Sequence, residues 1–199
     1  MQYCNYTISK LNDFSRIPEI SRLVKNSFTE SGLIPPDYES EYLDLYPYLN
    51  KISETTVLIA ESEGRIIGTN SITIDGPAGL HTDFYFKKET DIIRKTGNKI
   101  LGSSWRIATA PTCRKNFRLF LDLIENTFKA GKEKNIETCL FVFAKKHENF
   151  YKRILDAETV AEKKHTDYPY NNVTFVLLKA DTENTGKHLS KRFTGRRFL

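Results

Sequence analysis

No apolar run in the sequence approaches the roughly 20 residues of a membrane-spanning helix. The start, MQYCNYTISK, has no apolar stretch of the kind a secretory signal carries. The expectation is a soluble, cytoplasmic protein. Cysteine is scarce: Cys4, Cys113 and Cys139 are odd in number and widely spaced, with no CxxC pair and no Cys/His cluster at metal-ligand spacing. That pattern points to reduced thiols and gives no metal site. No internal repeat is present. The excess of one charge sign is modest, at +5 with a pI of about 9.0. An acidic partner fits that balance: nucleic acid, a CoA pyrophosphate, an acidic carrier protein or an anionic membrane surface. Of these, nucleic acid is set aside, because its binding needs a basic face interleaved with exposed aromatics. Here the aromatics fall mostly at apolar periodic positions. A membrane surface is compatible with the charge but not required by it.

What is present suits one domain. Hydrophobic residues make up 39% of the 199 residues and aromatics 12%, enough for a sizeable core. Tyr3 to Ser9 reads as a first strand. Ile17, Ile20, Leu23, Val24 and Phe28 stand at helical spacing, with Pro18 tolerated in the first turn. Gly32, Pro35 and Pro36 then break the helix. Tyr38 to Leu49, rich in Tyr and Leu, reads as either a helix or an ordered loop covering a pocket. Thr55–Ala60 and Ile66–Ile74 form a hairpin about the turn Glu63-Gly64-Arg65. Glu89 to Lys95 reads as a short helix ended by Gly97 and Asn98. Ile100 to Ala108 is a strand and Asn116 to Lys129 the clearest helix, with Phe117, Phe120, Leu121, Ile124 and Phe128 on one face. Thr138–Ala144 (strand), Glu148–Leu155 (helix) and Asn171–Leu178 (strand) follow. The order predicts an α/β (α+β) mixed sheet flanked by helices, with a parallel, right-handed unit from Ile100 to Ala144. The domain is expected over residues 1–180. Residues 181–199, with Lys187, Lys191, Arg192, Arg196 and Arg197, are expected to form a basic, flexible tail.

The most informative stretch is WRIATAPTCRKNFRLF, Trp105 to Phe120. It reads as a buried strand, a basic turn and a helix start. Backbone N–H groups at a helix start receive anions, and Arg114, Lys115 and Arg118 reinforce that. A phosphorylated carrier of an acyl group suits such a junction. Arg106 is a charge inside an apolar strand, and burying it is costly without a partner. An ion pair with Asp83 or another acid, and a bidentate grip on a substrate carboxylate, are both open readings.

Several segments in order resemble the GNAT acyltransferase fold, and more narrowly the long-chain N-acyl amino acid synthases, relatives of the acyl-homoserine lactone synthases. Ile67-Gly68-Thr69 resembles their V/I-G-T step. Gly79-Leu80-His81-Thr82-Asp83 resembles their G-L-P-x-D loop, with His81 in place of the proline. Ile92-Ile93-Arg94 before Gly97 resembles the helix end leading into the central strand. Arg106-Ile107-Ala108 with Pro111 and Arg114 resembles S-R-L-A-V-x-P-x-x-R. Lys146-His147-Glu148-Asn149-Phe150-Tyr151 resembles P-R-H-x-x-F-Y, and Asp167-Tyr168-Pro169 before Asn172 resembles the step into the last strand. The chain departs from the pattern in three further places. Arg114 to Phe120 lacks the glycines of the usual pyrophosphate loop, Ser103 replaces a Glu, and Ser71 stands near a missing Arg.

The resemblance implies an N-acyltransferase moving a long-chain acyl group from acyl carrier protein, or from acyl-CoA, to the amine of an amino acid. It implies the donor thioester as co-substrate, with no metal or redox cofactor. In this picture Tyr151 protonates the leaving thiolate, with His147 four residues before it as a shuttle or acceptor contact. Packing of the helix and a helix-start hydrogen bond are the plainer readings of the two. Ile107, Ala108, Thr109, Arg114, Lys115 and Arg118 would hold the donor, and Arg106 and Asp83 the acceptor. The missing glycines favour a carrier-protein donor, because glycine lets backbone approach a phosphate closely. An acetyl-CoA-dependent acetyltransferase and a non-catalytic domain binding an acyl ligand or a partner are the rival readings.

Overall fold

The computed structural model describes residues 5–41, 43, 46–113, 116–166, 169–170 and 172–193, with side chains up to residue 189. The strands are β1 (Thr7–Lys10), β2 (Thr55–Ser62), β3 (Arg65–Ile74), β4 (Leu101–Thr109), β5 (Thr138–Ala144), β6 (Glu158–His165) and β7 (Val173–Asp181). The helices are α1 (Ile17–Glu30), α2 (Asp83–Thr96), α3 (Phe117–Glu133), α4 (Glu148–Leu155) and α5 (Thr182–Phe193). The strands join in one sheet of order β1-β2-β3-β4-β5-β7-β6. Only β4 and β5 run parallel; the other neighbours are antiparallel. This is the mixed, helix-flanked sheet expected from the sequence.

Side chains alternate across the sheet at the strand period of two. On β7, Phe175 and Leu177 enter the core beneath α1 and α2, with Ile20, Val24 and Phe86. Val176 and Leu178 enter the opposite core with Ile124, Phe128 and Leu155 of α3 and α4. Such a continuous apolar run marks a strand buried on both faces. The β2–β3 hairpin closes on Glu63 (φ 51°) and Gly64 (φ 74°), the left-handed pair that a two-residue turn requires.

Three elements differ from expectation. Helix α2 begins at Asp83, six residues before the predicted Glu89, and kinks at Phe86 (φ −137°, ψ 46°). The strand β6 went unpredicted because Glu158, Glu162, Lys163 and Lys164 give it little apolar content; charge of this kind is how an edge strand avoids mispairing. The tail was expected to be flexible from Asp181, yet Thr182–Phe193 forms α5. Thr182, Thr185 and Leu189 bury a narrow stripe of it, and Thr185 Oγ1 donates to the Leu155 carbonyl. Lys187 pairs with Glu183 on the outer face. Arg196 and Arg197 lie outside the described residues. In the Tyr38–Leu49 segment, residues 38–41, 43 and 46 form no regular element and Pro47–Lys51 is a 3-10 turn, with Leu43 and Leu49 buried; Tyr42, Asp44 and Leu45 lie outside the described residues.

Candidate active site

Strands β4 and β5 pair over three positions only, Leu101–Thr138, Gly102–Cys139 and Ser103–Leu140. Beyond them the strands part. A cavity of about 220 Å³ runs through the opening, lined by Ser104 to Thr109 on one side and Phe141 to Ala144 on the other. An internal strand edge left open in this way presents backbone N–H and C=O groups that need a partner.

A bulge helps shape the opening. Thr69 faces Ala108 while Ser71 faces Trp105, so β4 carries one residue more than β3 between them. Arg106 absorbs the extra residue at φ 65°, a left-handed conformation that non-glycine residues hold only when their surroundings impose it. The surroundings here are specific. Arg106 is buried, donates to Asn50 Oδ1 at 2.7 Å and Ser71 Oγ at 2.9 Å, and lies 4.6 Å over the Trp105 ring. Ser71, near the place of a missing arginine in the resembling pattern, thus receives the guanidinium of Arg106.

The cavity has two unlike halves. Toward α3 and α4 it is apolar, with Phe120, Ile124, Phe128, Phe141, Phe143 and Leu155. Tyr151 belongs to this half. Its ring stacks on Phe143 at 3.4 Å and 3°, and burial alone holds its hydroxyl well above the usual phenol range, so it stays protonated. Toward α1 and α2 the cavity is polar and aromatic. Tyr46, Tyr85 and Tyr170 form a hydrogen-bonded chain of buried hydroxyls, raised above their ordinary values first by desolvation. Beside them sit Arg106 and His81.

His81 is wholly buried. Its Nδ1 lies 3.0 Å from Ser103 Oγ, its ring stacks with Trp105 at 25°, and Tyr46 stands 6.1 Å away. The loop that carries it is held rigidly. Gly79 takes φ 74°, and a Cβ there would meet Asp83 Oδ2 at 2.6 Å. Asp83 accepts the Leu80 N–H at 2.8 Å. Arg94 grips Asp83 through both Nη atoms, at 2.8 and 2.7 Å, and binds Asp75 as well. Gly79, Asp83 and Arg94, three of the motif residues singled out in the sequence, are therefore one clamp.

Burial lowers the His81 pKa from 6.5 to about 3, with the nearby Asp83 charge opposing the shift. The unfolded chain binds this proton below about pH 6.5, and the native chain only near 3. Stability should fall as pH drops across that window, by up to about 1.4 kcal/mol per pH unit from this group. His81→Asn should flatten the dependence of melting temperature on pH between 6 and 4. An unchanged slope would show that the ring titrates normally in the native protein.

The sequence-predicted residues divide. Ile107, Ala108, Thr109, Arg106, Tyr151 and His147 all line the cavity. His147 stands exposed at the rim before α4, and desolvation, then Lys146, lowers its pKa. Asp83 and Arg106 do not form the ion pair considered for them, because Arg94 holds Asp83 and Arg106 turns to Asn50 and Ser71. Arg118 points along α3 to Asp122 at 2.8 Å and is mostly exposed, away from the lining. Arg114 and Lys115 lie outside the described residues. At the start of α3, Asn116 Oδ1 accepts the Leu119 N–H and caps the helix. Cys113 and Cys139 are buried free thiols, and burial pushes Cys139 up to about 12, too high for a nucleophile. Sequence reasoning gave no role to Tyr170, Asn50 or His81. The one signal was that His81 and Ser103 both break the family-like pattern, and the two prove to be in contact.

Among the described residues no helix is long and apolar enough to cross a membrane, and no cluster of His, Cys, Asp and Glu has the makings of a metal site.

A protein-family model described as N-acyl amino acid synthase FeeM matches residues 19–181. Among solved structures, FeeM, an N-acyl amino acid synthase from uncultured soil microbes, aligns with a TM-score of 0.72 at 18% identity, covering 91% of this chain and 93% of that one. The CoA-dependent acyl-homoserine lactone synthase BjaI, solved with SAM and isopentyl-CoA, aligns at 0.64 and 15% identity, covering 94% and 89%. A GNAT-family acetyltransferase from Streptococcus pneumoniae aligns at 0.57 and 12%, covering 89% and 99%. These likenesses show the GNAT fold. No curated protein sequence matches the chain.

Proposed function

Because the chain belongs to the N-acyl amino acid synthase FeeM family and is an N-acyltransferase, we propose that it transfers a long-chain acyl group from a phosphopantetheine thioester to the amine of an amino acid. The observation that carries this reading is the divided cavity in the β4–β5 opening. The free edge of β4 matches the two amides of a pantetheine arm, which can pair with it as an added strand does. The apolar half suits an alkyl chain, at about 0.8 kcal/mol per buried methylene. The polar half, with a buried cation at Arg106, suits the carboxylate and amine of an amino acid. Such a pocket is larger and more apolar than an acetyl group needs.

An acyl carrier protein is the favoured donor. Arg114 to Phe120 holds no glycine, and the Asn116 cap already occupies one N–H of the α3 start. Both features disfavour close approach of a nucleotide pyrophosphate to backbone. A net charge of +5 fits an acidic carrier. The amine attacks the thioester carbonyl, the C–N bond forms and the C–S bond breaks. Tyr151, kept protonated by its apolar setting, supplies the proton that the thiolate takes.

Incubating the protein with acyl carrier protein and CoA thioesters of several chain lengths plus pooled amino acids, then reading amides by mass spectrometry, tests the proposal. Long-chain N-acyl amino acids formed from the carrier thioester support it. Amide formed only from acetyl-CoA, or none at all, overturns it. Tyr151→Phe keeps the stack on Phe143 and removes only the hydroxyl. It should lower kcat by about 10- to 100-fold at pH 7 with little change in melting temperature; a wild-type rate would leave Tyr151 a packing residue.

A further inference from the structure

We infer that His81, oriented by Ser103, receives the proton of the attacking amine. This rests on the proposed amide synthesis and names the group that completes it. Tyr151 and His81 line opposite halves of one cavity, on opposite faces of the sheet. A transfer between amine and thioester needs one group to take a proton from nitrogen and another to give one to sulfur. Tyr151, in the apolar half, is placed for the second task. His81 is the buried imidazole in the half that also holds Arg106.

Its setting is built. The Gly79–Asp83–Arg94 clamp fixes the loop, Trp105 stacks on the ring, and Ser103 Oγ fixes its rotation through Nδ1. With Nδ1–H donating to Ser103 Oγ, Nε2 keeps its lone pair for the substrate. The groups facing the ring are Tyr46 from the segment before the 3-10 turn, Ser103 and Trp105 from β4, and Asp83 from α2. Asp83 is held by Arg94, so its charge favours an imidazolium without contacting it. Desolvation keeps the ring neutral before substrate arrives, so a ring lone pair is available to accept a proton.

The step balances. Nitrogen forms its bond to the carbonyl carbon, and its N–H proton passes to Nε2. The carbon–sulfur bond breaks and the thiolate takes the Tyr151 proton. The imidazolium then loses its proton to solvent and the phenolate regains one. Two residues that depart from the resembling motifs act together here: Ser103 on β4 and His81, which reaches it from the Gly79–Asp83 loop.

His81→Asn separates the readings, because an Asn amide can still donate to Ser103 while Nε2 is lost. Its kcat for amide synthesis should fall by at least about 100-fold, with the donor KM within about threefold of wild type. Ser103→Ala should show a smaller loss of the same kind. In His81→Gly, added imidazole should restore turnover in a saturable manner. A His81→Asn enzyme with wild-type kcat overturns the assignment, as does a His81→Gly enzyme that binds donor normally but is not rescued. Should His81→Asn fail to fold, the His81→Gly rescue decides alone. Wild type that makes no amide from any donor defeats the underlying function; wild type that makes amide while His81→Asn matches it defeats only the role of His81.

Discussion

Ile124→Trp should shorten the range of acyl chains the enzyme accepts. Ile124 is buried on α3 and faces the apolar half of the cavity beside Phe120, Phe128 and Tyr151. An indole ring there takes the room of about two or three methylenes more than the isoleucine side chain. At about 0.8 kcal/mol each, a donor that fills the cavity loses about 2 kcal/mol, or about 30-fold in kcat/KM. Donors too short to reach Ile124 should stay within about threefold of wild type. Overpacking typically costs about 1–3 kcal/mol of stability, and an empty cavity softens that cost, so the melting temperature must be measured beside the rates. An equal loss at every chain length would mean that the acyl chain lies elsewhere.

Arg106→Met should cripple the use of amino acids as acceptors. The guanidinium is buried at the bulge, in the same half of the cavity as His81. Losing a desolvated contact to a carboxylate costs about 3 kcal/mol, or about 100-fold in kcat/KM, carried mainly by the acceptor KM. Amines of similar size without a carboxylate should be used equally by both enzymes. Stability should also fall, because Asn50 Oδ1 and Ser71 Oγ lose donors at roughly 1–3 kcal/mol each, offset by relief of a buried charge. Arg106→Lys should not restore the activity, since one ammonium cannot span both acceptors with the geometry of the planar fork. A loss identical for amines with and without a carboxylate would leave Arg106 a structural residue.

Much of the sheet was legible because apolar periodicity is strong where strands are buried. TCLFVFA and VTFVLL read directly as strands, and the FRLFLDLI helix shows its face. What escaped was held by tertiary context. The β6 edge strand is charged by necessity, so its composition resembles a loop. Helix α5 buries only a narrow stripe, too little for periodicity to reveal. The cavity-lining residues of β4 and the helix carrying Tyr151 could be named from the family-like motifs, but their neighbours could not. Asp83 belongs to Arg94 rather than Arg106 because of how the Gly79 loop turns, and no spacing in the sequence encodes that pairing. Likewise His81 and Ser103 are 22 positions apart. Only the fold makes their two departures one feature.

The central claim is that the β4–β5 opening holds the acyl thioester, and one residue reports on it. Trp105 is the single tryptophan of the chain and lines the cavity. Its emission should be followed while non-hydrolysable acyl-pantetheine thioethers of increasing chain length are titrated into the wild-type protein. The account predicts a saturable change in emission, with affinity rising about fourfold per methylene until the apolar half is filled. Emission that never changes, or affinity that ignores chain length, would contradict it.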